Sequence, residues 1–238
     1  METIIELLSY VFAFMGVHEV NAIMYTKKNN EENKEYNKKI HHNITDIINI
    51  IVSFSVSIIY LITGYGLKDD RLYGTNDLGI KALLIHVALC IYEIFYNIIS
   101  ERNISMLIHH VVLVCVFLYS IYKGFIQFYI SAAGFAEITN IFLIPITLFK
   151  RNEIFLDKLV YPGIGLFISF LFARIFLFPY IYNLCNFDIG NVNPENLYHF
   201  YMARTMLMVI FGLSCYWFTK ISKGLIKEGL KMFKTNTN

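Results

Sequence analysis

The chain reads as a series of long apolar runs separated by short polar stops. Crossing a hydrocarbon core of roughly 30 Å takes about 20 predominantly apolar residues in a helix. On that ruler the sequence predicts seven spans, at 4–25, 44–66, 79–98, 104–122, 126–149, 159–183 and 198–220. The first carries Glu6, His18, Glu19 and Asn21 and lacks the basic start and small-residue cleavage site of a signal peptide, so it is expected to remain as an anchor. Between the first two spans, TKKNNEENKEYNKKIHHN reads as an exposed, partly disordered linker or a short surface helix, with His41 and His42 solvated. Short connections between the third and sixth spans make those helices antiparallel neighbours in a bundle. No internal repeat interrupts the pattern. The expected organisation is an anchor with its linker at 1–43, a membrane domain at 44–220 and a basic tail at 221–238.

Composition fixes the class. Apolar residues make up 56% of the chain, charged residues only 16%, and 21 residues are Phe, a balance that a soluble domain of this size does not sustain. An all-α, polytopic membrane protein follows. The Lys and Arg residues lie in short loops and form no basic face with interleaved aromatics, which argues against nucleic acid as a partner. Cys90, Cys115, Cys185 and Cys215 show no Cys-x-x-Cys spacing, so neither a disulfide framework nor a metal site is expected.

The informative residues are polar ones inside the spans. An ionisable group near the bilayer centre costs about 2.5–3.5 kcal/mol on insertion scales, so each needs a partner, a wet cavity or a chemical task. The third span places His86, Glu93 and Asn97 on one helical face. The fourth carries the pair His109–His110 in SMLIHHVVLVC; neighbours in a helix point about 100° apart, so one is expected to face the bundle interior while the other bonds to an adjacent helix. The fifth, AAGFAEITNIFLIP, sets Glu137 and Asn140 one turn apart with Thr139 beside them, next to small residues that allow close helix approach and ahead of Pro145, which can loosen a turn. The sixth supplies Arg174, a counter-charge for Glu93 or Glu137, with Tyr180 beyond Pro179. Arg204 and His199, near an end of the last span, are read as structural.

These residues resemble the TLC domain, named for its TRAM, LAG and CLN members, which include the ceramide synthases. Tyr92–Glu93 stands where the family has Tyr-Asp, His109–His110 opens the next span, and Ala136 to Asn140 forms the second acidic segment; the likeness extends through Arg174 to Tyr180 and covers roughly 44–220. Ceramide synthases carry His-Asp-x-Ser-Asp in the second segment, whereas this chain has Ala136, Glu137, Ile138, Thr139 and Asn140, which sets it closer to the TLCD and CLN branches. The resemblance implies a six-helix bundle around a lipid-accessible cavity and acyl transfer to a lipid acceptor. In that reading His109, His110 and Glu137 are catalytic, and Glu93, Asn97, Thr139, Asn140, Arg174 and Tyr180 bind substrate. No tightly bound cofactor or metal is expected; acyl-CoA is the candidate co-substrate. The partners expected are membrane lipids, with a homodimer as the candidate assembly, and the resemblance points to the endoplasmic reticulum or a related secretory-pathway membrane. The competing class is a lipid-binding, lipid-sensing or cargo-adaptor protein that uses the same cavity without turnover. Iron-dependent hydroxylation fits poorly because a single His pair lies within a span, and transport lacks paired, interrupted helices.

Orientation follows from Lys and Arg. With the N-terminus lumenal, the cytoplasmic segments hold Lys27, Lys28, Lys34, Lys38, Lys39, Arg102, Lys150, Arg151, Lys158 and the tail from Lys220 to Lys234, against Lys68, Arg71 and Lys123 on the other side. The sequons Asn43-Ile44-Thr45 and Asn103-Ile104-Ser105 then face the cytoplasm. Both asparagines are expected to stay unmodified when the chain is inserted into microsomes; a glycan on either would reverse this topology.

Overall fold

The computed structural model describes residues 2–26 and 34–235. The part of the charged linker at 27–33 and the last residues of the tail, 236–238, fall outside the described residues, as do the side chains of His41 and His42. Seven helical segments are long and apolar enough to cross a membrane: Thr3–Val20, Asp46–Gly66, Asp77–Ile99, Ile104–Lys123, Gln127–Asn152, Leu156–Asn191 and Pro194–Leu230. Their outward sides carry exposed Ile62, Tyr65, Ile99, Phe172 and Phe187, an apolar exterior that suits lipid and not water. The protein is a multi-pass membrane protein with an all-α fold.

In chain order the elements are α1 (Glu2–Thr26), α2 (Lys34–Gly66), α3 (Asp77–Tyr96), α4 (Ile104–Lys123), α5 (Gln127–Gly134), α6 (Asn140–Asn152), α7 (Val160–Phe170), α8 (Leu177–Asp188) and α9 (Pro194–Thr235). Two spans are composite. A tight 3-10 stretch, Phe135–Thr139, joins α5 to α6, and a wide π-helical stretch, Leu171–Phe176, joins α7 to α8. Pro145 lies within α6, so the irregular turn expected near it falls instead at Phe135–Thr139, where small residues permit tighter winding.

Polar side chains clasp the short connections. Asn76 caps α3 by accepting from the Gly79 N–H, and its own backbone exchanges two hydrogen bonds with the Gln127 carboxamide, 2.7 and 3.0 Å, tying the α2–α3 loop to the start of α5. At the other end Asn97 bonds both the N–H and the carbonyl of Asn103, which in turn caps α4. The sixth span runs past 183 to Asn191 because its polar end is paired: Arg71 donates twice to Asp188, each bond 2.6 Å, and Tyr129 donates to the same carboxylate. That pairing pushes the Arg71 guanidinium above its ordinary pKa. Helix α9 does not stop at 220 but continues to Thr235, and α2 begins at Lys34 within the charged segment.

Helix α2 is the pillar of the bundle. Its inner face presents small Ser53, Ser57 and Thr63, buried and bonded back to their own helix or to each other, with Tyr60 fully enclosed. Tyr60 fits because Gly134 faces it; a Cβ there would come within 2.5 Å of the tyrosine ring. Helix α1 is peripheral, reaching the rest through Val11 and through His18, whose Nδ1 lies 2.8 Å from the Tyr92 hydroxyl. Gly134→Val is expected to lower stability by about 1–3 kcal/mol through overpacking. Thermal unfolding in detergent checks it, with Gly212→Ala, where nothing lies within 4 Å, as the substitution that leaves melting unchanged or raises it.

Candidate functional site

A narrow cavity runs inside the bundle between α3, α4, the α5–α6 span, the α7–α8 span and α9. It holds about 740 Å³ of space between side chains, counting its open mouth, with a free channel of about 70 Å³. Each wall follows from helical spacing: His109, Val112, Leu113, Val116 and Phe117 recur three and four apart on α4, so one stripe of that helix faces inward. Across from them Arg174, Phe178, Ile181 and Cys185 line the π-helical turn and α8. The eleven residue steps from Arg174 to Cys185 rise about 16 Å, so the cavity is a slot of that order in length.

One end is polar. Glu137 is carried by the 3-10 turn and Arg174 by the π turn, and the two meet at 3.2 Å from Nη2 to Oε1. Tight winding on one side and wide winding on the other rotate these side chains inward where a regular helix would place its neighbours. The Asn140 amide donates to the second Glu137 oxygen at 2.8 Å and touches Ser53 Oγ at 3.2 Å. Ser53 donates to Asn49, which donates to Glu93, so a chain of hydrogen bonds links the two carboxylates across four helical segments. His109 approaches Glu137 with Nε2 at 3.9 Å from Oε1, its ring held edge-on by Trp217 at 5.3 Å. Nδ1 of His109 and Nε and Nη1 of Arg174 are buried without a hydrogen-bond partner, so three polar atoms at this end have unused capacity.

The structure thus brings His109, Glu137 and Arg174 together, with Asn140 behind the carboxylate, and selects Glu137 over Glu93 as the arginine's counter-charge. The other nominated residues lie elsewhere. His110 is buried but packs its ring on His109 at 5.2 Å and does not line the cavity; its Nδ1 makes no bond to an adjacent helix, contrary to the division of labour expected for the pair. Thr139 is buried and spends its hydroxyl on the Ala136 carbonyl. Glu93 faces Asn49, and Asn97 spends its carboxamide on the α3–α4 turn, so neither lines the cavity. Tyr180 is 60% exposed on the outer face of α8.

Two further residues line the cavity, of which Arg204 is read as structural from the sequence. His86 lines the polar end, with Nδ1 3.1 Å from the Tyr60 hydroxyl. Arg204 lies toward the other end, its guanidinium 4.8 Å from the Tyr182 ring and bonded to Asn186. The signal for Arg204 was present: it falls four residues after Phe200 and three before Leu207, on the apolar stripe of α9 that lines the cavity. Among the described residues, no three His, Cys, Asp or Glu side chains gather as metal ligands would.

Five of the seven apolar spans thus enclose a slot that is apolar along its length and charged at one pole, inside a multi-pass membrane protein. Residues 38–223 match the TLC domain family model, and the chain belongs to that family. No curated protein and no solved structure is similar enough to match. The match begins near the base of α2 and leaves α1 outside it.

The Glu137–Arg174 pair generates a stability test. Breaking a buried ion pair on one side leaves an uncompensated charge and costs about 3–5 kcal/mol, whereas replacing both members by apolar residues is close to neutral. Glu137→Leu and Arg174→Leu are each expected to melt well below wild type and the double variant above either single one, measured as a double-mutant cycle of detergent-solubilised protein.

Proposed function

We propose that the protein transfers a fatty acyl group to a lipid acceptor, with His109 as the proton-transfer group. The observation that carries this reading is a histidine and a carboxylate–guanidinium pair at the end of an apolar slot about 16 Å long. The acyl chain lies along Val112, Val116, Ile181 and Leu207, which puts its carbonyl at the polar end. His109 Nδ1 takes a proton from the acceptor hydroxyl or amine as that group attacks the acyl carbonyl. The carbon–sulfur bond of an acyl-CoA donor then breaks, and the departing thiolate recovers the proton from the imidazolium. Glu137, facing Nε2, holds the ring tautomer and stabilises the cation; the 3.9 Å separation is of the kind that shortens when substrate fills a site. Arg174 pairs with Glu137, and its unpartnered nitrogens supply donors to the oxygen that becomes negative.

The same reading gives the bundle an orientation. The Lys-rich ends of α6 and α9 face the cytoplasm, the N-terminus is lumenal, and an endoplasmic-reticulum or related membrane is the setting. His109 lies five residues into α4, about 8 Å from its cytoplasmic start, within reach of a water-soluble thioester. The capping and pairing duties of Asn103 and Asn43, the latter bonded to Asn152, support the view that neither is a glycan acceptor.

Purified His109→Ala, melting within a few degrees of wild type, is expected to lose at least about a hundredfold in transfer of labelled acyl groups, the usual scale of a lost general base. His110→Ala, which removes a ring outside the cavity, is expected to lose far less. Undiminished transfer in the His109 variant would remove the catalytic role, and bound lipid without any turnover in wild type would favour a lipid-binding protein.

A further inference from the structure

A second concavity lies outside the bundle, where α6, α7 and α9 meet. It has about 990 Å³ of space, open side included, and shares no residue with the inner cavity. Its floor is apolar, made of Leu143, Ile146, Leu166 and Leu225, and two glycines, Gly163 and Gly224, keep it open. Three lysines border it: Lys150 near the end of α6, and Lys220 and Lys227, two turns apart on α9 and bracketing Gly224 and Leu225. Glu228 also lines the groove, leaving a net positive rim; the Lys220 ammonium additionally rests over the Tyr216 ring at 4.4 Å.

The level of this rim in the membrane follows from helix length. From Pro194 to Lys220 the helix α9 rises about 39 Å, more than a hydrocarbon core of roughly 30 Å. The α9 side of the groove therefore lies at headgroup depth, while on α6 Ile146 and Leu143 lie one and two turns below Lys150, at the depth of acyl chains. A phosphate-bearing headgroup over a hydrocarbon tail matches that order of chemistry, and a soluble anion or a water-facing peptide does not. We infer that this groove is a seat for an anionic phospholipid, its phosphate held by Lys150, Lys220 and Lys227 and one acyl chain laid between α6, α7 and α9. The Lys-rich end is the one assigned above to the cytoplasm, the leaflet in which anionic lipids concentrate. The seat stands whether or not the inner cavity catalyses anything.

Neutralising a lysine near an anionic membrane surface removes about 1 kcal/mol, or roughly fivefold in affinity. The test reconstitutes the full chain in nanodiscs of phosphatidylcholine with or without phosphatidylserine, and reads melting temperature and lipid retained in native mass spectrometry. Wild type is expected to retain phosphatidylserine and to melt higher in its presence; the Lys150→Gln/Lys220→Gln/Lys227→Gln variant is expected to lose that stabilisation and to bind the lipid roughly a hundredfold more weakly. Gly224→Leu tests the groove's open space independently of its charge: nothing lies within 4 Å of a Cβ there, so the variant folds while its side chain fills the groove. It is expected to release the lipid with the lysines intact. Lys68→Gln/Lys123→Gln, at the opposite end, is expected to behave as wild type. Equal retention of phosphatidylserine in all variants would overturn the seat. So would stabilisation by inorganic phosphate alone, or a change in oligomeric state on filling the groove in place of lipid release.

Discussion

A carboxylate buried among membrane helices cannot be left to solvent, and the surroundings of Glu137 answer that demand. Arg174 meets one oxygen and Asn140 the other, and Asn140 is steadied through Ser53 and Asn49 to Glu93. The desolvation cost of two charges is offset only when geometry is good and the remaining lone pairs are used. That condition fits the small residues on α2, the close seat of Tyr60 against Gly134 and the local change of winding, tight in one span and wide in another. Each lets the segments carrying Glu137 and Arg174 come near enough to pair.

What results is an asymmetric interior. The slot is apolar along most of its length and polar where His86, His109, Glu137 and Arg174 converge, with Arg204 toward the other end framed by aromatic rings. Its ionisable groups are thereby gathered at one defined depth of the bundle, Arg204 excepted. His109 owes its place to the helical stripe of α4 and to the indole of Trp217, which itself donates to Ser105 at the start of α4. The polar end is thus tied to the same turn that Asn97 and Asn103 close.

Much of this was legible in the sequence because hydrophobic length is a blunt and reliable signal in a bilayer. Seven spans, the bundle and the family follow from runs of apolar residues and from the His pair with its acidic neighbours. Span ends were less legible: the stops at 183 and 220 treated Asp188 and Lys220 as solvent-facing, while pairing with Arg71 and the surplus length of α9 carry the helices on. Within the site, spacing identified Glu137 and Arg174 but not which histidine faces inward, since that depends on how α4 is rotated. Asn97 and Tyr180 look like site residues in sequence only because a capping amide and a lipid-facing phenol share the letters of a binding group.

The order of the residues along the chain has a consequence for biosynthesis. Glu137 and Arg174 are 37 residues apart, an interval of roughly 2–7 s at ribosomal rates of about 5–20 residues per second. During that time the carboxyl group has emerged and its cation has not. The Asn140 amide, which bonds the second Glu137 oxygen, is made three residues after the acid and well before Arg174. In the nascent protein the acid therefore meets a hydrogen-bond donor before it meets its counter-charge.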